Sequence, residues 1–199
     1  MQLNAMLHLA KLERLYQLQL RKEQRQQLGL YLGLLSRWGN HFNLSSVKNK
    51  EDYLRFHFFE SFWAAKSFLT ADLRIADIGS GAGFPGLAMK LYNPALQIVL
   101  LEKSYKKIVF LREVSRILGL RVEILHGPAE LYPCWNETNI ATVRALRPSL
   151  ELVQTLGSHS ISLLSFHGVN RPRSLQRLNL RWEQQVPGSR SRYVSLLEF

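Results

Sequence analysis

The chain has 199 residues, 46% of them apolar, enough for one globular domain with a real core and too many for a disordered chain. Lysine and arginine number 26 against 15 acids, a formal net charge of +11, which points to a polyanionic partner, with nucleic acid first among them. The single cysteine, Cys134, excludes an internal disulfide, no apolar run approaches a membrane span, and the first residues lack the basic start and apolar core of a secretory leader, so the expected place is the cytoplasm.

Leu3, Met6, Leu7, Ala10, Leu12, Leu15 and Leu18 stand at helical spacing and predict a helix over 3–20. A second helix is expected over 23–38, with Leu28, Tyr31, Leu32, Leu35 and Trp38 as its apolar stripe and Gly39-Asn40 as its break. Residues 42–46 read as an irregular connection. A third helix over 51–69 brings Tyr53, Leu54, Phe58, Phe62, Trp63 and Phe68. None of the three looks like half of a βαβ unit. Residues 1–72 are therefore expected to form a helical extension packed on a core of residues 73–199.

From Arg74 the pattern alternates. Strands are predicted over 74–78, 97–102, 122–125, 140–144 and 161–166, with helices between them at about 86–91, 104–118 and 148–156. Two further strand-like runs, near 180–186 and 193–197, are split by Pro187-Gly188 and read as a terminal hairpin. The expected fold is α/β: a doubly wound, mostly parallel sheet with a reversed edge. Ligands of such sheets bind beyond the carboxyl ends of the strands. Those ends are 78–81, 101–103, 126–130 and 144–145, so one pocket should collect four stretches.

The stretch Arg74-Ile-Ala-Asp-Ile-Gly-Ser-Gly-Ala-Gly-Phe-Pro-Gly86 opens this sheet as strand, glycine turn and helix. Glycine accepts positive φ and lets backbone approach a ligand closely. Gly81 to Gly86 matches the dinucleotide fingerprint G-x-G-x-x-G. Asp77, two places before Gly79, argues otherwise, because a carboxylate there opposes a pyrophosphate and suits a ligand carrying an ammonium and a sulfonium. S-adenosylmethionine is thus favoured over a dinucleotide, which stays open as a rival. Glu102, at the end of the second strand, suits the hydroxyls of a ribose in either class.

Leu35-Ser-Arg-Trp-Gly-Asn-His-Phe-Asn-Leu-Ser45, His57 with Glu60-Ser61, Asp77 to Gly86, Lys106-Lys107 with Phe110-Leu111, Ala129-Glu130 and Arg144-Ala145 together resemble the ribosomal RNA small subunit methyltransferase G family, also called glucose-inhibited division protein B. The resemblance covers most of the chain and implies a Rossmann-like class I methyltransferase fold. It also implies methyl transfer from S-adenosylmethionine to N7 of a guanine in small-subunit (16S) ribosomal RNA, free or in the 30S particle, in bacteria. Carried over, Gly79 and Phe84 are cofactor contacts, and Ala129 and Glu130 hold the adenine end; beside them Asp77, Gly81, Gly83 and Glu102 are expected to bind the cofactor from the reading of the turn and strand end above. Arg144 lies at the site. The family usually has Lys-Gly after the fifth strand where this chain has His167-Gly168, and Arg-His early in the third helix where it has Phe56-His57 behind Arg55.

Guanine N7 carries a lone pair and no proton, so no general base is required, and none is assigned. The fourth strand lacks the Asn/Asp-Pro-Pro-Tyr motif of exocyclic-amine methyltransferases and runs Arg144-Ala-Leu-Arg-Pro-Ser149. Arg144 is a candidate to position guanine or cofactor. The plainer reading makes it a structural ion pair with Asp77 or Glu102. Cys134 follows a proline, as in cytosine-C5 methyltransferases, but precedes the fourth strand and reads as a loop cysteine. Lys103, Lys106 and Lys107, with Arg112 and Arg116, form either a phosphate-binding face or one solvated helix side. Arg55, His57 and His167 are expected to face RNA, and Arg171, Arg173, Arg177, Arg181, Arg190 and Arg192 make a second basic set. The six histidines show no metal-ligand spacing, so no metal is expected, and the chain is expected to be a monomer. Rival readings are a same-fold methyltransferase with another RNA or small-molecule acceptor, and an RNA-binding protein that keeps the fold without turnover.

Overall fold

A computed structural model describes residues 2–39, 44, 49–68 and 72–199. The alternating half forms one seven-stranded sheet of β1 (Arg74–Ile78), β2 (Gln97–Glu102), β3 (Glu123–His126), β4 (Ile140–Arg144), β5 (Ser162–His167), β6 (Asn179–Gln185) and β7 (Tyr193–Glu198). The strand order is β3-β2-β1-β4-β5-β7-β6. β1 to β5 run parallel, and β7 pairs antiparallel with both β5 and β6. Ile75 to Ile78 and Ile98 to Glu102 are buried throughout, as strands covered on both faces must be, which is why they read as unbroken apolar runs. After β3 the chain crosses back to the other side of β1. The topological switch point, and its crevice, therefore lie between β1 and β4.

The helices follow their sequence stripes with informative departures. α1 (Gln2–Leu15) stops five residues before the predicted end at 20, because Gln17 turns into the left-handed region at φ 52°. Leu18 and Leu20 stay buried from an extended chain, and the Glu13 carboxylate accepts the Leu20 N–H at 2.8 Å. α2 (Lys22–Gly39) matches its expectation. The third predicted helix is α3 (Lys50–Tyr53), a wide π turn (Leu54–Phe59) and α4 (Glu60–Phe68) in succession. The π turn carries Arg55, Phe56 and His57. The connection expected over 42–46 lies, apart from Leu44, outside the described residues. α5 (Gly86–Tyr92), α6 (Tyr105–Leu118) and α7 (Leu150–Ser158) complete the set, and Gly119 closes α6 at φ 65°. Among the described residues no helix is long and apolar enough to cross a membrane.

The larger core cluster joins the N-terminal helices to one face of the sheet through Tyr31, Phe58, Phe62, Phe84, Leu87 and Phe110. Tyr31 stacks on Phe84 with ring centroids 5.6 Å apart and donates its hydroxyl to the Ala82 carbonyl at 2.7 Å. The opposite face packs Val99, Val143, Leu152, Leu156 and Leu163 under α7.

Three buried polar groups tie these layers together. Glu60 of α4, 1% exposed, accepts Arg144 Nη1 at 2.6 Å and Arg192 Nη2 at 2.8 Å, linking helix, β4 and hairpin. Asp77, fully buried at the end of β1, accepts the Thr142 hydroxyl at 2.8 Å and the Gly86 N–H at 3.1 Å. Burial pushes its carboxyl pKa up to about 6, against the opposing pull of those hydrogen bonds. His57 sits 4.8 Å from the Phe84 ring, and both its ring nitrogens are buried without a hydrogen-bond partner. Burial, with Arg144 and Arg192 nearby, pushes its pKa down to about 2.

These two shifts act on stability with opposite signs. An acid whose folded pKa is raised stabilises fully below its unfolded value of 3.8, and that contribution is lost as pH rises through 6. A histidine with a lowered pKa stabilises above 6.5 and loses the contribution as pH falls. Urea unfolding between pH 6 and 4 should show Asp77→Asn losing stability relative to the wild type as pH falls, and His57→Phe gaining it, each by at most about 1.4 kcal/mol per pH unit. Glu60→Gln, which strands two guanidiniums, should lower stability by about 3–5 kcal/mol at neutral pH by the same measurement.

Candidate functional site

The glycine turn after β1 is closed by its own backbone. The N–H groups of Gly79 and Ser80 donate to the Leu101 carbonyl at the end of β2, at 2.8 and 3.2 Å. Those of Gly83 and Phe84 donate to the Ser80 carbonyl, that of Gly81 to Glu102 Oε2 at 2.8 Å and that of Gly86 to Asp77. Gly79, Gly81 and Gly83 all take positive φ. A Cβ on Gly83 would meet the Tyr31 hydroxyl at 2.1 Å, and one on Gly86 would meet Asp77 at 2.7 Å, so these two positions exclude any side chain. A pyrophosphate held on bare N–H groups finds those of Gly79, Ser80, Gly81, Gly83, Phe84 and Gly86 already bonded, which weighs against the dinucleotide reading on a ground the sequence did not show.

Beside the turn lies a cavity of about 310 Å³. Ile78 and Gly79 from β1, Leu101 to Lys103 from β2, and Gly127, Ala129 and Glu130 after β3 supply three of the four expected stretches. The fourth is Leu146 to Ser149 rather than 144–145, because Ala145 turns at φ 53° and swings the next residues over the crevice. Leu146 reaches within 3.6 Å of where a Cβ on Gly79 would stand. Glu102 is braced by the N–H groups of Gly81 and of Ser104, the latter at 2.9 Å, which leaves further lone pairs on its carboxylate for a ligand. Ser149 caps α7 by accepting the Leu152 N–H and donates its hydroxyl to Glu130 Oε1 at 2.8 Å. The backbone N–H of Glu130 itself holds that carboxyl below the usual range, with the Ser149 hydroxyl and Lys103 adding to the effect against partial burial.

The sequence-named residues divide. Gly79, Glu102, Ala129, Glu130, Lys103 and Lys107 meet at this cavity, and Lys106 stands exposed on the same helix. Gly81 braces Glu102 from behind. Asp77 does not reach the cavity: its oxygens clamp β4 and α5, so it shapes the turn from inside. Gly83 and Phe84 face the helical layer. Arg144 pairs with Glu60 rather than Asp77 or Glu102, donates to the Phe56 carbonyl and Ser61, and lies over the Phe166 ring at 4.4 Å. Its side chain is 7% exposed; its Nη donors are spent inside the fold, and its Nε is buried without a hydrogen-bond partner. Burial lowers the Arg144 pKa, opposed chiefly by Glu60.

His57 and His167, expected to face RNA, are both interior. His167 is 4% exposed, with Nε2 at 2.6 Å from the Ser195 hydroxyl and Nδ1 at 2.7 Å from the Gly168 carbonyl. The hairpin folds back over it. Arg55 donates to the Gly188 carbonyl at 2.5 Å, fastening the π turn to the hairpin. The residues missed were Leu146 to Ser149, Glu60 as a charge anchor, and Tyr31. Only Ser149 had a local sign, a serine two places before Glu151 in the manner of a helix cap. No group of three or more His, Cys, Asp or Glu among the described residues is placed to hold a metal ion.

An apolar slot of Ile78, Leu101, Ala129 and Leu152 beside a braced carboxylate fits an adenosyl group: walls for the base, acceptors for ribose hydroxyls. The family model described as rRNA small subunit methyltransferase G matches residues 24–166. The ribosomal RNA small subunit methyltransferase G of Roseiflexus sp. (strain RS-1) is 36% identical over 156 residues, 75% of this chain and 65% of the relative. That of Alkaliphilus metalliredigens (strain QYMF) is 39% identical over 107 residues, 53% of this chain and 45% of the relative. The chain thus spans about half to two thirds of the length of these relatives. A SAM-dependent methyltransferase from Aquifex aeolicus superposes with a TM-score of 0.59 at 12% identity, covering 78% of this chain and 96% of that one, a likeness of fold. The chain belongs to the rRNA small subunit methyltransferase G family.

Proposed function

We propose that this chain transfers a methyl group from S-adenosylmethionine to N7 of a guanine in small-subunit ribosomal RNA. The observation that carries the reading is the cavity at the β1–β4 switch point with its braced Glu102, in a chain of this family. When bound, S-adenosylmethionine supplies an electrophilic methyl on a sulfonium. Glu102 accepts the ribose hydroxyls, Ala129 and Glu130 border the base, and Gly79, at a positive φ that disfavours a side chain, leaves its backbone open to the ligand. Guanine N7 needs no proton removed, so the residues bind, orient and exclude water rather than move a proton. That suits a site whose best-placed arginine and histidines are locked into the fold. The +11 charge suits a ribosomal partner in the cytoplasm.

Two measurements test this. Glu102→Ala should weaken cofactor binding in calorimetry by about tenfold or more, since each hydrogen bond to a charged group contributes about 1.5–3 kcal/mol. Small ribosomal subunits lacking the modification, incubated with the protein and labelled S-adenosylmethionine, should yield labelled 7-methylguanosine. Cofactor binding without transfer would mean a different acceptor or a non-catalytic RNA binder.

A further inference from the structure

A second, larger cavity of about 810 Å³ opens at the carboxyl ends of β4 and β5. It shares Leu146, Arg147 and Pro148 with the smaller one, so the two meet at a common wall. Arg147, Arg171 and Arg173 line it, and no Asp or Glu is among its lining residues. Arg147 and Arg173 are exposed and form no ion pair among the described residues. Arg171 is held through Nε by Glu183 at 3.6 Å, yet its Nη1 is buried without a hydrogen-bond partner. Its side chain, 22% exposed, lines the cavity wall.

We propose that this larger cavity is a phosphodiester-binding subsite, in which Arg147, Arg171 and Arg173 hold the backbone of the RNA strand that carries the acceptor base. The inference rests on reading the smaller cavity as the methyl-donor site. Three forked guanidiniums on one concave wall match phosphate oxygens in a way that scattered surface lysines do not. The space exceeds what one phosphate needs and suits a nucleotide with its neighbours. A strand held there brings one base to the wall at Leu146, beyond which the donor cavity begins. The Arg171–Glu183 contact aims the central arginine, and Glu183 also accepts the Ser195 hydroxyl at 2.6 Å.

The test uses the full chain and a fluorescent single-stranded RNA of about ten nucleotides, titrated by anisotropy across a salt series. The Arg147→Ala/Arg173→Ala variant should lose about tenfold in affinity, and its log–log salt slope should flatten by about 1.4, or 0.7 per released phosphate contact. Arg171→Lys, which keeps the charge and loses the fork, should also bind more weakly. Arg173→Ala, remote from the smaller cavity, should leave calorimetric binding of S-adenosylmethionine unchanged. Unchanged RNA affinity and slope in the double variant would overturn the proposal, as would a wild type that does not bind the RNA. Displacement of the RNA by inorganic phosphate alone at constant ionic strength would replace a strand seat with a single-anion seat. A wild type that binds the RNA but not S-adenosylmethionine overturns the donor-site reading and leaves the titration interpretable.

Discussion

The turn after β1 depends on one constraint: its polar backbone, largely buried, is satisfied by the protein itself. Leu101, Ser80, Glu102 and Asp77 provide the acceptors. This closure sets the positive φ values, admits only glycine at Gly83 and Gly86, and holds Glu102 in one orientation. The cavity then lies at the sheet's switch point, beside this closed turn, with side chains from the ends of β1, β2 and β4 as its walls.

A second constraint acts across layers. The N-terminal helices bring a glutamate and a histidine into the same interior that receives Arg144, Arg192 and Phe84. Removing charges from water is expensive, and the ion pair offsets this only when its geometry and hydrogen bonds are complete. Glu60 serves two arginines, and Ser61 and the Phe56 carbonyl take further guanidinium N–H groups, which leaves Arg144 Nε buried without a partner. His57 takes the other route and remains neutral. The π turn around it sets these groups at the level where helix, β4 and hairpin meet.

The positive charge is distributed according to this architecture. Arginines of the same formal charge have different roles: Arg144 and Arg192 act as internal fasteners, Arg55 fastens the hairpin turn, and Arg147 and Arg173 remain exposed at a concave wall. Net charge alone does not say which cations are free for a partner. Burial separates those left at the surface from those that hold the fold.

The alternation of strand and helix, the glycine turn and the acid ending the second strand were legible in the sequence because each is a local pattern: apolar runs of strand length, glycines at fixed offsets, a carboxylate at a strand end. Elements β1, β2 and β4 fall where those patterns place them. The end of α1 was not legible, since leucines bury equally well from a helix or from an extended chain. Nor were the partners of Arg144, the interior placement of His57 and His167, or the shift of the fourth pocket stretch to Leu146–Ser149. Those depend on which residues far apart in the chain are brought within hydrogen-bond distance, 84 positions apart for Arg144 and Glu60. Sequence by itself determined the sheet and the turn, because local periodicity and backbone conformation encode them, and it left two classes of ligand open. Tertiary structure alone decided which charges are spent inside the fold and which remain for a partner, because desolvation and pairing are properties of the packed chain.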